Sequence, residues 1–106
     1  MTALEMQRTL VKSPPELWDE LSDVVGLARL LDRGFGEIRI VRTTPWRRVE
    51  WEAGSTRGTI ELEPSGWGTR VRLAADVAAG AAQAQATLAR ALDALGAAHH
   101  RPFSRS

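Results

Sequence analysis

The sequence contains no cysteine and no tyrosine, and it has two histidines, His99 and His100. The lack of cysteine excludes a disulfide framework, a thiolate nucleophile and a cysteine-ligated metal. Because the histidines are adjacent, they would point about 100° apart on a helix and do not form the i, i+4 pair that chelates a metal. We therefore expect no metal site and no cofactor.

Long apolar runs and an excess of charge of one sign are also missing. No segment approaches the roughly 18 apolar residues of a membrane span, and residues 1–5 lack the basic and then apolar pattern of a signal peptide. The net charge is +1, and thirteen of the fourteen basic residues are arginines. The sequence therefore predicts a soluble cytoplasmic protein that does not bind nucleic acid.

The composition is that of one ordinary globular domain. The 106 residues are 43% apolar and 25% charged, which suits a single hydrophobic core and leaves no room for a second one. We expect residues 1–106 to form one domain in which 100–106 are a flexible tail.

The first third of the chain predicts a strand followed by two short helices. Leu4–Lys12 predicts a strand whose inward face is ambiguous. Ser13–Glu16 combines a cap serine, two prolines in the first turn and a glutamate at the capping-box position, so a helix begins there. Asp23 predicts the N-cap of a second helix, which is expected to end at Gly34 or Gly36.

After Gly36 the spacing of apolar residues changes from the helical period to a period of two. Four segments alternate in this way, and their inward residues are expected to be Ile38, Ile40, Val49, Trp51, Ala53, Ile60, Leu62, Val71 and Leu73. The connections at Thr44–Pro45, Ala53–Ser55 and Pro64–Gly66 carry turn residues and are short enough for hairpins. The simplest topology is an antiparallel meander.

From about residue 78 to 99 the chain is rich in alanine and predicts the longest helix. One face of this helix carries an apolar stripe that is expected to dock on the sheet, namely Val77, Ala81, Ala84, Leu88, Leu92, Leu95 and His99. The predicted fold class is therefore α+β: an antiparallel sheet of about five strands packed on a long C-terminal helix, with two short helices after the first strand.

The outward residues of the strands are mostly charged. In a meander, the carboxylates of the two middle strands are expected side by side and bracketed by arginines of the outer strands, a set made of Glu50, Glu52, Glu61 and Glu63 with Arg39, Arg70 and Arg72. Two interpretations stay open at this point: a solvated face that supports the register, and a binding surface.

The order of the elements resembles the helix-grip fold, and two local motifs resemble SRPBCC domains, the superfamily of START lipid-transfer domains, pollen allergens and polyketide cyclases. Thr9–Asp19 resembles the opening of these domains, and Glu63–Val71 resembles their late hairpin. The resemblance implies a cavity between the sheet and the last helix, which holds a lipid, sterol or polyketide in the family. This chain has fewer strands than most members and resembles a shortened one.

An empty apolar cavity is costly in so small a domain. A void of ~300 Å³, the low end for a ligand site, would cost roughly 7 kcal/mol at ~24 cal/mol per Å³. That cost is comparable with the whole stability of a small domain, ~5–15 kcal/mol. We therefore expect a collapsed core, an occupied cleft, or a second subunit that covers the exposed edge.

The predicted ligand-binding residues are inward apolar side chains and one histidine near the end of the last helix: Trp18, Ile40, Trp51, Leu62, Leu73, Leu88, Leu92 and His99. The two tryptophans fit a packed core as well as a pocket lining, and His99 fits an interaction with the helix C-terminus as well as a ligand contact. No catalytic residue is predicted, because the GxSxG, P-loop and HExxH motifs are missing.

Three functions remain open. The first is the binding of a hydrophobic or lipid-like small molecule between the sheet and the C-terminal helix without catalysis. The second is a homodimeric or partner-binding module with a closed pocket, because an uncovered edge strand can pair with another chain. The third is a polyketide cyclase or dehydratase, whose polar inward groups would have to come from the first strand: Gln7 or Thr9 in one register, Arg8 in the other.

Overall fold

A computed structural model describes residues 2–31, 35–66 and 68–96. Its elements are, in chain order, β1 (Thr2–Leu10), α1 (Pro14–Leu21), α2 (Val24–Leu30), β2 (Arg39–Thr44), β3 (Arg48–Ala53), β4 (Thr56–Ser65), β5 (Gly68–Val77) and α3 (Ala81–Gly96). The tail predicted at 100–106 lies outside the described residues, and so does His99. None of the described helices combines the length and the hydropathy that a membrane crossing requires.

The five strands form one antiparallel sheet in the order β1-β5-β4-β3-β2. The last four strands are the predicted meander, and β1 joins its far side beside β5. Helix α3 packs on this sheet, chiefly against β1 and β5, while α1 contacts β4 and α2. The predicted fold class, an α+β helix-grip-like arrangement, is confirmed.

One face of the sheet, here called the inner face, carries the core. The alternation in β3, β4 and β5 places every second residue there, as the sequence predicts. Helix α3 contributes a matching apolar stripe from Ala84 to Leu95. The largest fully buried side chains are Trp51, Leu17, Leu21, Leu27, Leu31, Ile60, Leu73, Leu88, Leu92, Leu95, Val49 and Val71.

The two short helices begin where the sequence predicts. Glu16 accepts a hydrogen bond from the Ser13 amide at 3.4 Å, and the Asp23 carboxylate accepts one from the Gly26 amide at 3.0 Å. Helix α2 ends earlier than expected, at Leu30; Leu31, which follows it, is buried in the core, and its amide still donates to the Leu27 carbonyl at 3.0 Å.

Helix α3 begins at Ala81 rather than near residue 78. The residue before it, Gly80, has a φ of 71°, a left-handed conformation that a helix does not contain, and its carbonyl accepts the first helical hydrogen bond from Ala84 at 2.9 Å. The glycine therefore sets the start of the helix, and the alanines before it belong to the connection from β5.

Strand β1 covers Thr2–Leu10 rather than Leu4–Lys12, and its register settles which face is inward. Met6 lies opposite Leu73, and Arg8 lies opposite Val71, so the even-numbered residues share the inner face. Arg8 forms an ion pair with Asp93 of α3. The polar group that β1 presents inward is therefore a guanidinium that already has a partner on the last helix.

The end of β1 lies unusually close to the start of β5. A Cβ atom added to Gly68 would overlap the carbonyl oxygen of Leu10. The buried hydroxyl of Thr69 donates to the carbonyl of Lys12 at 2.7 Å. Gly68 and Thr69 together fix the position of the segment that connects β1 to α1.

The opposite face of the sheet, here called the outer face, carries a ladder of ion pairs. Its register differs from the expected one, because Arg48 lies opposite Glu61 and Arg57 lies opposite Glu52. Arg39, Arg70 and Arg72 flank the carboxylates as expected. Arg48 and Arg57 also lie among them, so that arginines alternate with carboxylates across the strands. Glu61 shows the result, since it pairs with Arg48 at 3.1 Å and with Arg72 at 3.4 Å.

We expect the ladder to support register more than stability. Replacing Glu61 with glutamine should lower the free energy of unfolding by about 0.5–1 kcal/mol, because both partners remain partly exposed to solvent. Urea denaturation at low salt and at ~1 M salt measures the effect. A loss that is unchanged at high salt would contradict an electrostatic origin.

Candidate functional site

The structure brings most of the predicted ligand-binding residues into one core. Five of them are buried between the sheet and the helices, and two, Trp18 and Ile40, are half-buried and packed against the same cluster. His99 lies outside the described residues. The buried five are Trp51, Leu62, Leu73, Leu88 and Leu92. Their role in ligand binding stays a prediction.

Trp51 organises one corner of this core. It lies opposite Gly58 in the β3–β4 register, and the next residue across the sheet, opposite Gly58 on β5, is the small Ala75. A Cβ atom added to Gly58 would overlap the Cε2 and Cζ2 atoms of the indole. Because Gly58 has no side chain, the Trp51 ring can lie against the sheet at that position.

The indole of Trp51 is buried without a hydrogen-bond acceptor. Its Nε1 has no partner among the described residues, although only 2% of the side chain is exposed. The Phe35 ring lies beside it, with a centroid separation of 5.1 Å and an interplanar angle of 48°. A buried donor without an acceptor is costly. The indole N–H of Trp51 is therefore an unsatisfied polar group in an apolar surrounding.

A groove of about 900 Å³ opens next to this corner, between α2 and the segment that leads into β2. Val24 and Val25 are 42% and 60% exposed there. The groove is lined by Val24, Val25, Ala28, Arg29, Gly36, Glu37 and Ile38. Most of its lining is apolar, and a single charge of each sign, Arg29 and Glu37, borders it.

The local sequence explains why α2 leaves apolar residues on this groove. Asp23 caps the helix, and Leu27 faces the core. On another side, Gly26 lies so close to α1 that an added Cβ would stand 2.5 Å from the carbonyl oxygen of Glu20. With two sides of a seven-residue helix occupied, Val24, Val25 and Ala28 remain on the side that faces Ile38.

Other grooves of the described surface have a different character. A groove of about 530 Å³ on the outer face has five charged residues in its lining, namely Glu5, Glu50, Glu52, Arg57 and Asp76. Within residues 2–31, 35–66 and 68–96, no three carboxylate or imidazole side chains converge as metal ligands would. The groove beside α2 is therefore the better candidate for an apolar ligand.

Sequence reasoning missed the groove residues and the role of Gly58. Leu27, Leu30 and Leu31 are spaced as one apolar face of a helix. The pair Val24–Val25, directly after the helix cap, falls outside that face, and the mismatch is a signal of exposed apolar surface. A glycine within an alternating strand signals a close approach by another group. Both signals were present in the sequence, but neither names the group that fills the space.

No protein-family model and no curated protein matches the chain. Solved structures match it over most of its length. The Aha1 dimer from Colwellia psychrerythraea superposes with a TM-score of 0.71 at 15% identity, over 91% of this chain and 94% of that one. CV1439 from Chromobacterium violaceum gives 0.72 at 15% identity, over 91% and 96%.

DynU16, a protein of the dynemicin biosynthetic locus, gives a TM-score of 0.68 at 15% identity over 89% of this chain, which corresponds to 45% of DynU16. At such identities a likeness shows the fold alone. The comparisons and the strand order agree: the chain has a small helix-grip-like fold.

Proposed function

We propose that the chain is a short helix-grip protein of the SRPBCC type that binds a hydrophobic or lipid-like small molecule without catalysis. The observation that supports this function best is the apolar groove of about 900 Å³ beside α2. Two valines in a concave surface remain largely exposed there. A ligand that covers them removes apolar area from water, which contributes about 25 cal/mol per Å².

The groove lies close to two of the ligand-binding residues predicted from the sequence, Trp51 and Ile40. Gly36 lines the groove, and the ring of the preceding residue, Phe35, lies against Trp51. A ligand that displaces the Phe35 ring reaches Trp51 and the neighbouring Ile40, which lies opposite Trp51 on β2. In this proposal Phe35 separates the open groove from the interior between the sheet and the helices.

The polar groups around this path define the class of ligand. The guanidinium of Arg29 lies at the groove and forms no ion pair with any described residue, so it can bind a carboxylate. The buried Nε1 of Trp51 can donate to a carbonyl or hydroxyl oxygen. An amphipathic acid meets both requirements. Its carboxylate can bind Arg29, and a carbonyl or hydroxyl oxygen on its apolar chain can accept the hydrogen bond from Trp51.

Native mass spectrometry and a thermal-shift screen with fatty acids and isoprenoids test the proposal. A ligand at 100 times its Kd should raise the free energy of unfolding by about 2.7 kcal/mol. Val25→Glu places a carboxylate in the groove and should weaken binding at least tenfold, while leaving stability nearly unchanged because the side chain is exposed.

Val41→Glu is the matched control, since Val41 is an exposed valine on β2 away from the groove. It should bind like the unmodified protein. Equal binding by the Val25 variant, or no retained mass and no stabilisation with either ligand class, would count against the proposal.

The second candidate is a homodimer that pairs through β1. The edge of β1 that faces away from β5 pairs with no described strand. On its other edge, β1 pairs with β5 over nine residues without a register shift. The other edge strand, β2, has a register shift between Ile40 and Arg42, which is a feature that discourages edge pairing. Light scattering over a wide concentration range tests this candidate, and a strict monomer would contradict it.

A further inference from the structure

The turn between β2 and β3 contains a tryptophan in a conformation that favours glycine. The Arg47 amide donates to the Thr44 carbonyl at 2.9 Å, which closes a four-residue turn with Pro45 at its second position. Trp46, at the third position, has a φ of 63°. These features define a type II turn, in which the third residue is usually glycine or asparagine. Among the described non-glycine residues, Trp46 alone has a positive φ.

Packing does not account for this tryptophan. Trp46 is 57% exposed and does not belong to the core cluster, whereas Trp51 in the next strand is buried. A large aromatic side chain at this position therefore adds backbone strain and leaves apolar surface in water. A strained and exposed aromatic residue points to a contact outside the chain.

Several of the residues next to Trp46 in the sequence are basic. Residues 42–48 include Arg42, Arg47 and Arg48 and no acidic residue. Arg42 and Arg47 are exposed, and neither forms an ion pair with a described residue, whereas Arg48 pairs with Glu50 and Glu61. Arg42 lies opposite Glu50 on β3, and Arg47 lines a groove with Glu61 and Glu63, but neither guanidinium forms an ion pair with these carboxylates. An anionic partner can therefore bind both arginines.

A second exposed apolar residue lies at the same end of the sheet. Val11 follows the last residue of β1 and is 89% exposed. The turn with Trp46 lies between β2 and β3, so the two side chains are separated by about three to four strand spacings of ~4.8 Å, on the order of 15 Å. Two apolar side chains that far apart, from separate connections, suit a broad surface better than a single short peptide.

We propose that this end of the sheet docks on an anionic membrane surface through Val11, Trp46 and Arg47, with Arg42 of the adjoining strand β2 at the margin of the contact. Tryptophan favours the boundary between headgroups and acyl chains, where its ring is buried and its N–H stays hydrated. Arginines beside it attract acidic lipids. The inference concerns peripheral attachment and does not depend on the ligand groove, which is lined by other residues.

Co-sedimentation of the full chain with vesicles tests the proposal. Binding is expected to vesicles of phosphatidylcholine with about 30% phosphatidylglycerol and to fall steeply with salt, with little binding to phosphatidylcholine alone. Arg42→Gln and Arg47→Gln should each weaken binding roughly fivefold. Arg90→Gln, an exposed arginine on α3, is the matched control and should change it little.

Trp46→Gly provides a variant whose folding is not at risk, because glycine suits the φ of this position. Its thermal midpoint should not fall, while its binding to the acidic vesicles should weaken at least tenfold. Quenching of tryptophan fluorescence by brominated lipid should decrease in this variant, which keeps three other tryptophans. Equal binding by Trp46→Gly, equal binding to both vesicle types, or no binding by the unmodified protein would overturn the proposal; the last result would favour an acidic protein as the partner.

Discussion

Gly58→Ala is expected to lower the free energy of unfolding by roughly 1–3 kcal/mol, because the added methyl group overlaps the buried indole of Trp51. Trp51 cannot move aside freely, since Phe35 lies against its ring and the residue is only 2% exposed. Urea denaturation followed by circular dichroism measures the loss. Thr59→Ala, on the outward side of the same strand, should cost clearly less.

A double-mutant cycle identifies the cause. In a Trp51→Leu background the indole no longer covers Gly58, so Gly58→Ala should cost little or even stabilise, as alanine suits a strand better than glycine does. The expected coupling energy is about 1–3 kcal/mol. If Gly58→Ala costs the same in both backgrounds, the contact with Trp51 is not the reason for the glycine.

Gly68→Ala is expected to have an effect as large or larger, about 3 kcal/mol. The atom that the new methyl group meets is the backbone oxygen of Leu10, which the pairing of β1 with β5 holds in place and which has no rotamer to escape into. The end of β1 should therefore separate from β5. Hydrogen exchange should show faster exchange of the amides that join these two strands.

Gly66→Ala is the control for Gly68→Ala, because Gly66 lies two residues earlier, in the turn between β4 and β5, and an added Cβ would meet open space there. Its φ of 57° makes alanine unfavourable there by about 1–2 kcal/mol without any overlap. If the loss at Gly68 does not exceed the loss at Gly66, and hydrogen exchange between β1 and β5 is unchanged, the close approach of β1 does not decide the effect at Gly68.

The alternation of apolar residues was sufficient to predict the sheet and its inner face. A strand has a side-chain period of two, so a pattern such as Val49, Trp51 and Ala53 identifies a face directly, whichever strand lies beside it. Register is different, because it depends on where each turn closes. The turn at residues 44–47 places Arg48 inside β3, and only then does Arg48 meet Glu61.

The candidate site was less predictable from the sequence than the fold was. Helical periodicity identifies Leu27 as a core residue, but the exposure of Val24 and Val25 depends on the path of the segment around Ile38. That path follows from long-range packing, for which a local pattern carries no information. Trp51 could be identified as inward, whereas the unsatisfied state of its Nε1 depends on every neighbour at once.

The alternating charges on the outer face also select among wrong alignments of the strands. In the native pairing of β3 with β4, Arg48 faces Glu61. Sliding β4 by two residues in one direction keeps the apolar face inward but sets Glu50 against Glu61, two carboxylates in a position where like charges repel. A hairpin that closes two residues out of step in this direction separates Glu52 from Arg57 and gains a repulsion before any core has formed, which favours its reopening during folding.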